Sequence, residues 1–148
     1  MINVTGKKFP KQMYLVLQPD ITKMKKDIET LDDIKLVVNT FYTRIQKNET
    51  LGPIFEERIA GRWEQHLEKM YRFWQTILFN EHTYSGAPFP PHATMPIDES
   101  HFVIWVQNWT GTVDEFFTGP IAEEAKRRGT LMAAIFNSKL EYFKQNGL

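Results

Sequence analysis

Apolar residues recur at helical spacing in four stretches of this 148-residue chain. In the first, Ile34, Val37, Val38, Phe41 and Ile45 follow one another at intervals of three and four, the period of a helix that buries one face. That helix is expected to begin near Asp32 or Asp33 with Thr30 or Asp32 as its N-cap, because a short oxygen-bearing side chain accepts from the free N–H groups of a first turn. The second stripe runs through positions 63, 66, 67, 70, 73, 74, 77 and 78, and its apolar side carries a histidine, His66. The third, Phe102, Trp105, Val106, Trp109, Val113 and Phe116, follows Asp98 as N-cap and Glu99 in the first turn, where negative charge suits the helix dipole. The fourth, Ile121, Ala125, Met132, Ile135, Phe136, Leu140 and Phe143, lies between Gly119-Pro120 and Gly147, roughly from Pro120 to Asn146. Glycine past one helix and proline at the start of the next is the usual order of such signals. The pattern predicts an all-α chain of four main helices joined by short connectors.

The breaks between the stripes place the remaining residues. Leu51-Gly52-Pro53-Ile54-Phe55 reads as a turn in which the Gly-Pro pair stops the first helix. It puts Phe55 between the first helix and the histidine helix, as a core contact or a pocket wall. After Leu78, Gly86 and the prolines Pro88, Pro90, Pro91 and Pro96 cannot continue a helix. The chain is turned back there, so His92 arrives from a separate segment. At the N-terminus, Pro10 and Pro19 bracket Met13–Leu17, a short extended segment at best, and Ile21–Glu29 reads as a short helix or a linker. The expected organisation is an N-terminal arm over 1–27 and one domain over 28–148. There is no internal repeat.

Composition narrows the function classes. Formal net charge is zero, so no basic excess points to nucleic acid or an anionic membrane. The longest early apolar run, Met13–Leu17, is too short for a leader core or a membrane span. Cysteine is absent, which excludes disulfides, thiolate metal sites and cysteine nucleophiles; a reducing, cytoplasmic setting is the expectation. Aromatic residues make up 14% of the chain, enough to wall a pocket for a large flat apolar ligand or simply to fill a core.

The four histidines fall between positions 66 and 101. His82 sits in a polar loop and His101 in a first turn beside Glu99 and Ser100, and neither carries a strong signal. His66 on a helix and His92 on a returning loop can face each other across a flat object. That geometry suits haem, where one imidazole ligates iron and another guards the open face. Tyr42 lies at the edge of the first stripe, four residues after Val38. Its hydroxyl either bonds a carbonyl of the core or points into a pocket. The indole N–H of Trp105 needs a partner if buried.

Several short motifs then recur together: Phe41-Tyr42, Leu51–Phe55 (L-G-P-I-F), Trp63–His66 (W-x-x-H), Phe73-Trp74, Tyr84–Pro88 (Y-x-G-x-P), His92, His101–Trp105 (H-F-x-x-W) and Gly119-Pro120. In this order the chain resembles a truncated haemoglobin of the third group, the bacterial type with a shortened globin fold, over about residues 28–145. The resemblance implies a two-over-two helical sandwich around haem b. It implies His92 as the proximal iron ligand and Tyr42, His66 and Trp105 on the distal side, with Met70 the apolar distal residue nearest the iron. Phe55, Phe73 and Phe102 belong with these as haem-pocket candidates. Lys69, three residues after His66 on the same helix, is placed to reach a haem propionate or else belongs to a solvated face. The N-terminal arm is longer than the family core needs.

The chemistry of such a site can be stated from its groups. One protein ligand leaves the sixth position of the iron for O2, CO, NO or peroxide. Bound O2 carries partial negative charge, so the Tyr42 hydroxyl, His66 N–H and Trp105 Nε1–H are candidate donors to it. The resemblance suggests ligand binding, NO dioxygenase or peroxidase-like activity; turnover needs a reductase outside this chain. His66 is the candidate acid–base group for O–O cleavage. Two other classes compete. A non-haem metal enzyme would use His66, His92 and a carboxylate such as Glu64 or Asp98, but the Glu64-x-His66 spacing does not fit one helical face. A cofactor-free helical interaction module would not need a polar trio at core-facing positions.

Overall fold

The computed structural model describes residues 4–8 and 24–147. The expected extended segment Met13–Leu17 lies outside the described residues, as do residues 21–23 of the linker; residues 24–29 run without helix. All regular elements of the described residues are helices: α1 (Leu31–Lys47), α2 (Leu51–Ile59), α3 (Trp63–Phe79), a 3₁₀ turn (Pro90–His92), α4 (Glu99–Phe116) and α5 (Pro120–Gln145). None of them is long and apolar enough to cross a membrane.

The capping chemistry explains the boundaries. Thr30, not Asp32, caps α1: its Oγ1 accepts from Asp33 N at 3.2 Å, and the Asp33 carboxylate accepts from Thr30 N at 3.1 Å. Each side chain thus satisfies a backbone donor of the other. Asp98 caps α4 as expected, accepting from Ser100 N at 2.9 Å. Its partner is His101, whose Nδ1 accepts from Asp98 N at 3.0 Å. Asn80 closes α3 in the left-handed region, φ 54°, where asparagine is among the few residues tolerated.

One expected turn is a helix. Leu51–Phe55 opens α2 rather than separating two helices. Pro53 is its third residue, and a first-turn N–H has no intrahelical partner to lose. Gly52 is there for space: a Cβ would stand 2.6 Å from the Gln46 carbonyl oxygen. The Gly-Pro pair therefore lets α2 begin hard against the end of α1.

The helices form two layers. α1 packs on α3, α4 packs on α5, and α1 also crosses α4, giving the two-over-two arrangement that the resemblance implies. Phe41, Val38, Ile45 and Val113 are fully buried where the layers meet. α5 presents small residues inward: Ala122, Ala125, Gly129 and Ala133, followed by Phe136 and Leu140. Ile135, expected in this stripe, is instead 44% exposed. The small face admits large aromatic side chains from α4: a Cβ at Gly129 would lie 2.6 Å from Trp109 Cδ1. The start of α5 is capped from far away in sequence. The Asp27 carboxylate accepts from Ile121 N at 2.9 Å and Ala122 N at 2.8 Å, satisfying donors that Pro120 and Gly119 leave free.

Candidate functional site

A mostly apolar cavity of about 320 Å³ lies between the layers, within the range of sites for sizeable organic ligands. All nine residues singled out from the sequence line it: Tyr42, Phe55, His66, Lys69, Met70, Phe73, His92, Phe102 and Trp105. They come from α1, α2, α3, the 3₁₀ turn and α4, so the cavity exists only in the assembled fold.

Two walls carry its chemistry. On the first, α1 and α3 bring Tyr42 and His66 together, rings edge to face with centroids 4.9 Å apart. Phe55 and Trp63 flank Tyr42 at 6.1 and 6.0 Å. Among the described residues the Tyr42 hydroxyl has no hydrogen-bond partner, so it does not bond a core carbonyl. Burial pushes its ionisation up, away from neutral pH; it is a donor at any working pH. His66 Nε2 is buried and has no partner either. Burial, with smaller repulsion from Lys69 and His92, lowers the His66 pKa to about 4, so the imidazole is neutral at pH 7. Trp105, half-buried on α4, also has no partner for its indole N–H among the described residues. It meets Phe41 edge-on at 5.2 Å. A buried polar atom without a partner is costly, and His66 Nε2, beside two further unpartnered donors in one mostly apolar cavity, argues for a polar ligand there.

On the second wall, the turn Pro90–His92 holds His92 against Phe136 of α5, centroids 4.9 Å apart. The proline-rich loop orients the ring: His92 Nδ1 lies 2.7 Å from the Pro88 carbonyl oxygen. A carbonyl can only accept, so Nδ1 carries the proton and Nε2 keeps its lone pair. That is the second-shell arrangement that fixes a metal-ligating imidazole. Burial also holds His92 below the ordinary histidine range, partly opposed by its backbone hydrogen bonds. A neutral imidazole with Nε2 free, a dry cavity and donors on the facing wall form a donor set that fits haem. Lys69 is exposed at this edge and has no carboxylate partner among the described residues.

The structure adds residues that the sequence reading left out. Met132, Ala133 and Phe136 of α5 line the cavity, as do Met95, Ile97 and His101. The α5 stripe carried Met132 and Phe136, but nothing in its spacing tied them to His92. Among the described residues no three His, Asp or Glu side chains gather as a metal-ligand set. Glu64 is exposed and Asp98 is engaged in capping, which leaves the non-haem alternative without its carboxylate.

No protein-family model matches the chain. Over 121 residues it is 26% identical to the group 3 truncated haemoglobin of Campylobacter jejuni, covering 79% of this chain and 95% of that protein. Its fold matches the crystal structure of group III truncated haemoglobin from the same organism, with a TM-score of 0.73, 26% identity and the same coverage of each chain. Sequence and fold both resemble the group III truncated haemoglobins, and the two-over-two helical sandwich is a shortened globin fold.

Proposed function

We propose that this chain, a globin of the truncated kind, holds haem through His92 Nε2 and binds O2 and related diatomic molecules on the face lined by Tyr42, His66 and Trp105. The observation that carries the reading is the pairing of His92, its Nδ1 committed to Pro88, with the buried and unpartnered His66 Nε2 in one apolar cavity. A chain with no cysteine offers no thioether attachment, which favours a non-covalently held haem such as haem b. When bound, haem supplies an iron centre for gas binding and for oxidation–reduction.

The protein's own groups do the rest. His92 ligates, and Pro88 fixes its tautomer and ring plane. Phe55, Met70, Phe73 and Phe102 keep the cavity dry, which strengthens each polar contact inside it. Tyr42 and Trp105 donate to a bound ligand that carries partial negative charge. Neutral His66 has a ring nitrogen able to take up or hold a proton. Lys69 lies at the rim, where an anionic propionate is solvated best. His92 would be the iron's one protein ligand, with His66, packed against Tyr42, guarding the open face.

A second reading is favoured by His66 specifically. Neutral His66 would accept one proton from a peroxide in the cavity and return it to the leaving oxygen, so peroxidase-like turnover would fit the site, as would conversion of NO to nitrate with O2. Both draw electrons from a separate reductase. The test is titration of the purified protein with haem, followed by reduction and mixing with O2, CO and NO. A Soret band saturating at one haem per chain, with distinct O2 and CO spectra, is expected. No Soret band at stoichiometric haem would refute the proposal.

A further inference from the structure

Three of the chain's four tryptophans form one stacked column in the cavity wall, all three lining the cavity. Trp105 stacks on Trp109 at 5.9 Å with planes 21° apart, and Trp109 stacks on Trp74 at 4.3 Å and 18°. Among the described residues these are the two stacked ring pairs; most others meet edge-on, as aromatic pairs packed only for space commonly do. Trp109 and Trp74 are 2% and 3% exposed. On their far side Trp74 and Trp109 back onto a small apolar pocket walled by Ile28, Ile34 and Val37.

Two features suit the column to giving up an electron. Trp109 Nε1 donates to the Ala125 carbonyl oxygen at 2.9 Å. A hydrogen bond strengthens when its donor becomes charged, and a carbonyl is too weak a base to remove the proton. Positive charge on Trp109 is also shared with the parallel ring of Trp74. Gly129 is the notch that seats the column: a Cβ there would stand 2.6 Å from Trp109 Nε1 and 3.4 Å from Trp105 Cζ3.

We propose that Trp105, Trp109 and Trp74 are an internal electron donor, which supplies one electron when a peroxide is reduced in the cavity and keeps the resulting radical on buried indoles. The proposal rests on the haem reading above. A peroxide ROOH takes up two electrons and two protons, its O–O bond breaks, and ROH and water result. One electron would come from the reduced haem iron, which is left ferric, and the other from Trp109, passing through Trp105. Both protons come from solvent, and one tryptophan remains as a radical cation shared between Trp109 and Trp74. The column thus spares Tyr42, His66 and Met70, since the oxidising equivalent rests on the stacked indoles instead.

The test mixes the reduced, haem-loaded protein with hydrogen peroxide and freezes it for electron paramagnetic resonance, with and without ring-deuterated tryptophan. The expected signal is an organic radical whose hyperfine structure narrows on tryptophan deuteration. It persists in Tyr142→Phe, an exposed ring outside the cavity, and is lost in Trp109→Phe. Should Trp109→Phe fail to fold, Trp74→Phe decides, with a signal altered by loss of the shared partner. A protein without a Soret band overturns the haem reading, and this proposal with it. A normal Soret band and peroxide consumption, but a radical insensitive to tryptophan deuteration or lost in Tyr142→Phe, overturns the column alone.

Discussion

Replacing Tyr42 by Phe removes one oxygen atom and little else. The ring is held by Phe41, Phe55, Trp63 and His66, and Phe keeps those contacts. The hydroxyl has no protein partner among the described residues, so its loss orphans no acceptor. The ligand-free protein should therefore change little in stability. A bound, partly anionic O2 loses a hydrogen bond to a charged acceptor, worth about 1.5–3 kcal/mol. That corresponds to a roughly ten- to hundredfold faster O2 dissociation. CO, less polar when bound, should change far less. Stopped-flow replacement of O2 by CO, and of CO by NO, measures both rates. Because Tyr42, His66 and Trp105 share one cavity, the double variant Tyr42→Phe with Trp105→Phe should depart from additivity. Equal shifts in the O2 and CO rates, or strict additivity, would refute the shared-donor reasoning.

Asp27→Ala removes the cap of α5 and should lower thermal stability by about 0.5–2 kcal/mol, read by melting. Gly129→Ala drives a methyl into the Trp109 ring and should destabilise by about 1–3 kcal/mol, with a change in tryptophan fluorescence that an ordinary Gly→Ala change in an exposed helix would not give. The pH dependence follows from His66, whose folded pKa of about 4 lies below the ordinary histidine value of about 6.5. Between these values the unfolded chain binds the proton that the folded one excludes. Stability should therefore fall as pH drops from about 6.5 toward 4, His92 acting in the same direction. Melting of His66→Gln across this window should be flatter than that of the unsubstituted protein.

What could be read from the sequence was whatever depends on near neighbours. The cap at Asp98, the stripe that puts His66 on the buried side of α3, and the proline-rich return that delivers His92 are all local. The missing part depends on distant residues. Pro53 looks like a breaker because its tolerance in a first turn depends on where the helix begins. Gly52 and Gly129 are explained only by Gln46 and Trp109, the latter on another helix. Asp27 reads as a linker residue until α5 arrives beside it, 94 residues later in the chain. Ile135 matched the apolar period of α5, yet the helix turned its small residues inward to receive indoles. For the cavity, the placement of His66, His92, Tyr42 and Trp105 on its wall was legible, while the α5 contribution of Met132 and Phe136 was set by helix–helix packing.

The central claim is that His92 is the iron ligand and His66 a guard. The most direct measurement is the ferrous absorption spectrum of the haem-loaded protein beside His92→Gly and His66→Gly, each with and without added imidazole. A five-coordinate spectrum is predicted for the unsubstituted protein and for His66→Gly. His92→Gly should lose that spectrum and most of its haem, and imidazole, filling the space left by the side chain, should restore both. An unchanged spectrum in His92→Gly, or a six-coordinate spectrum in the unsubstituted protein that His66→Gly converts to five-coordinate, would contradict the assignment.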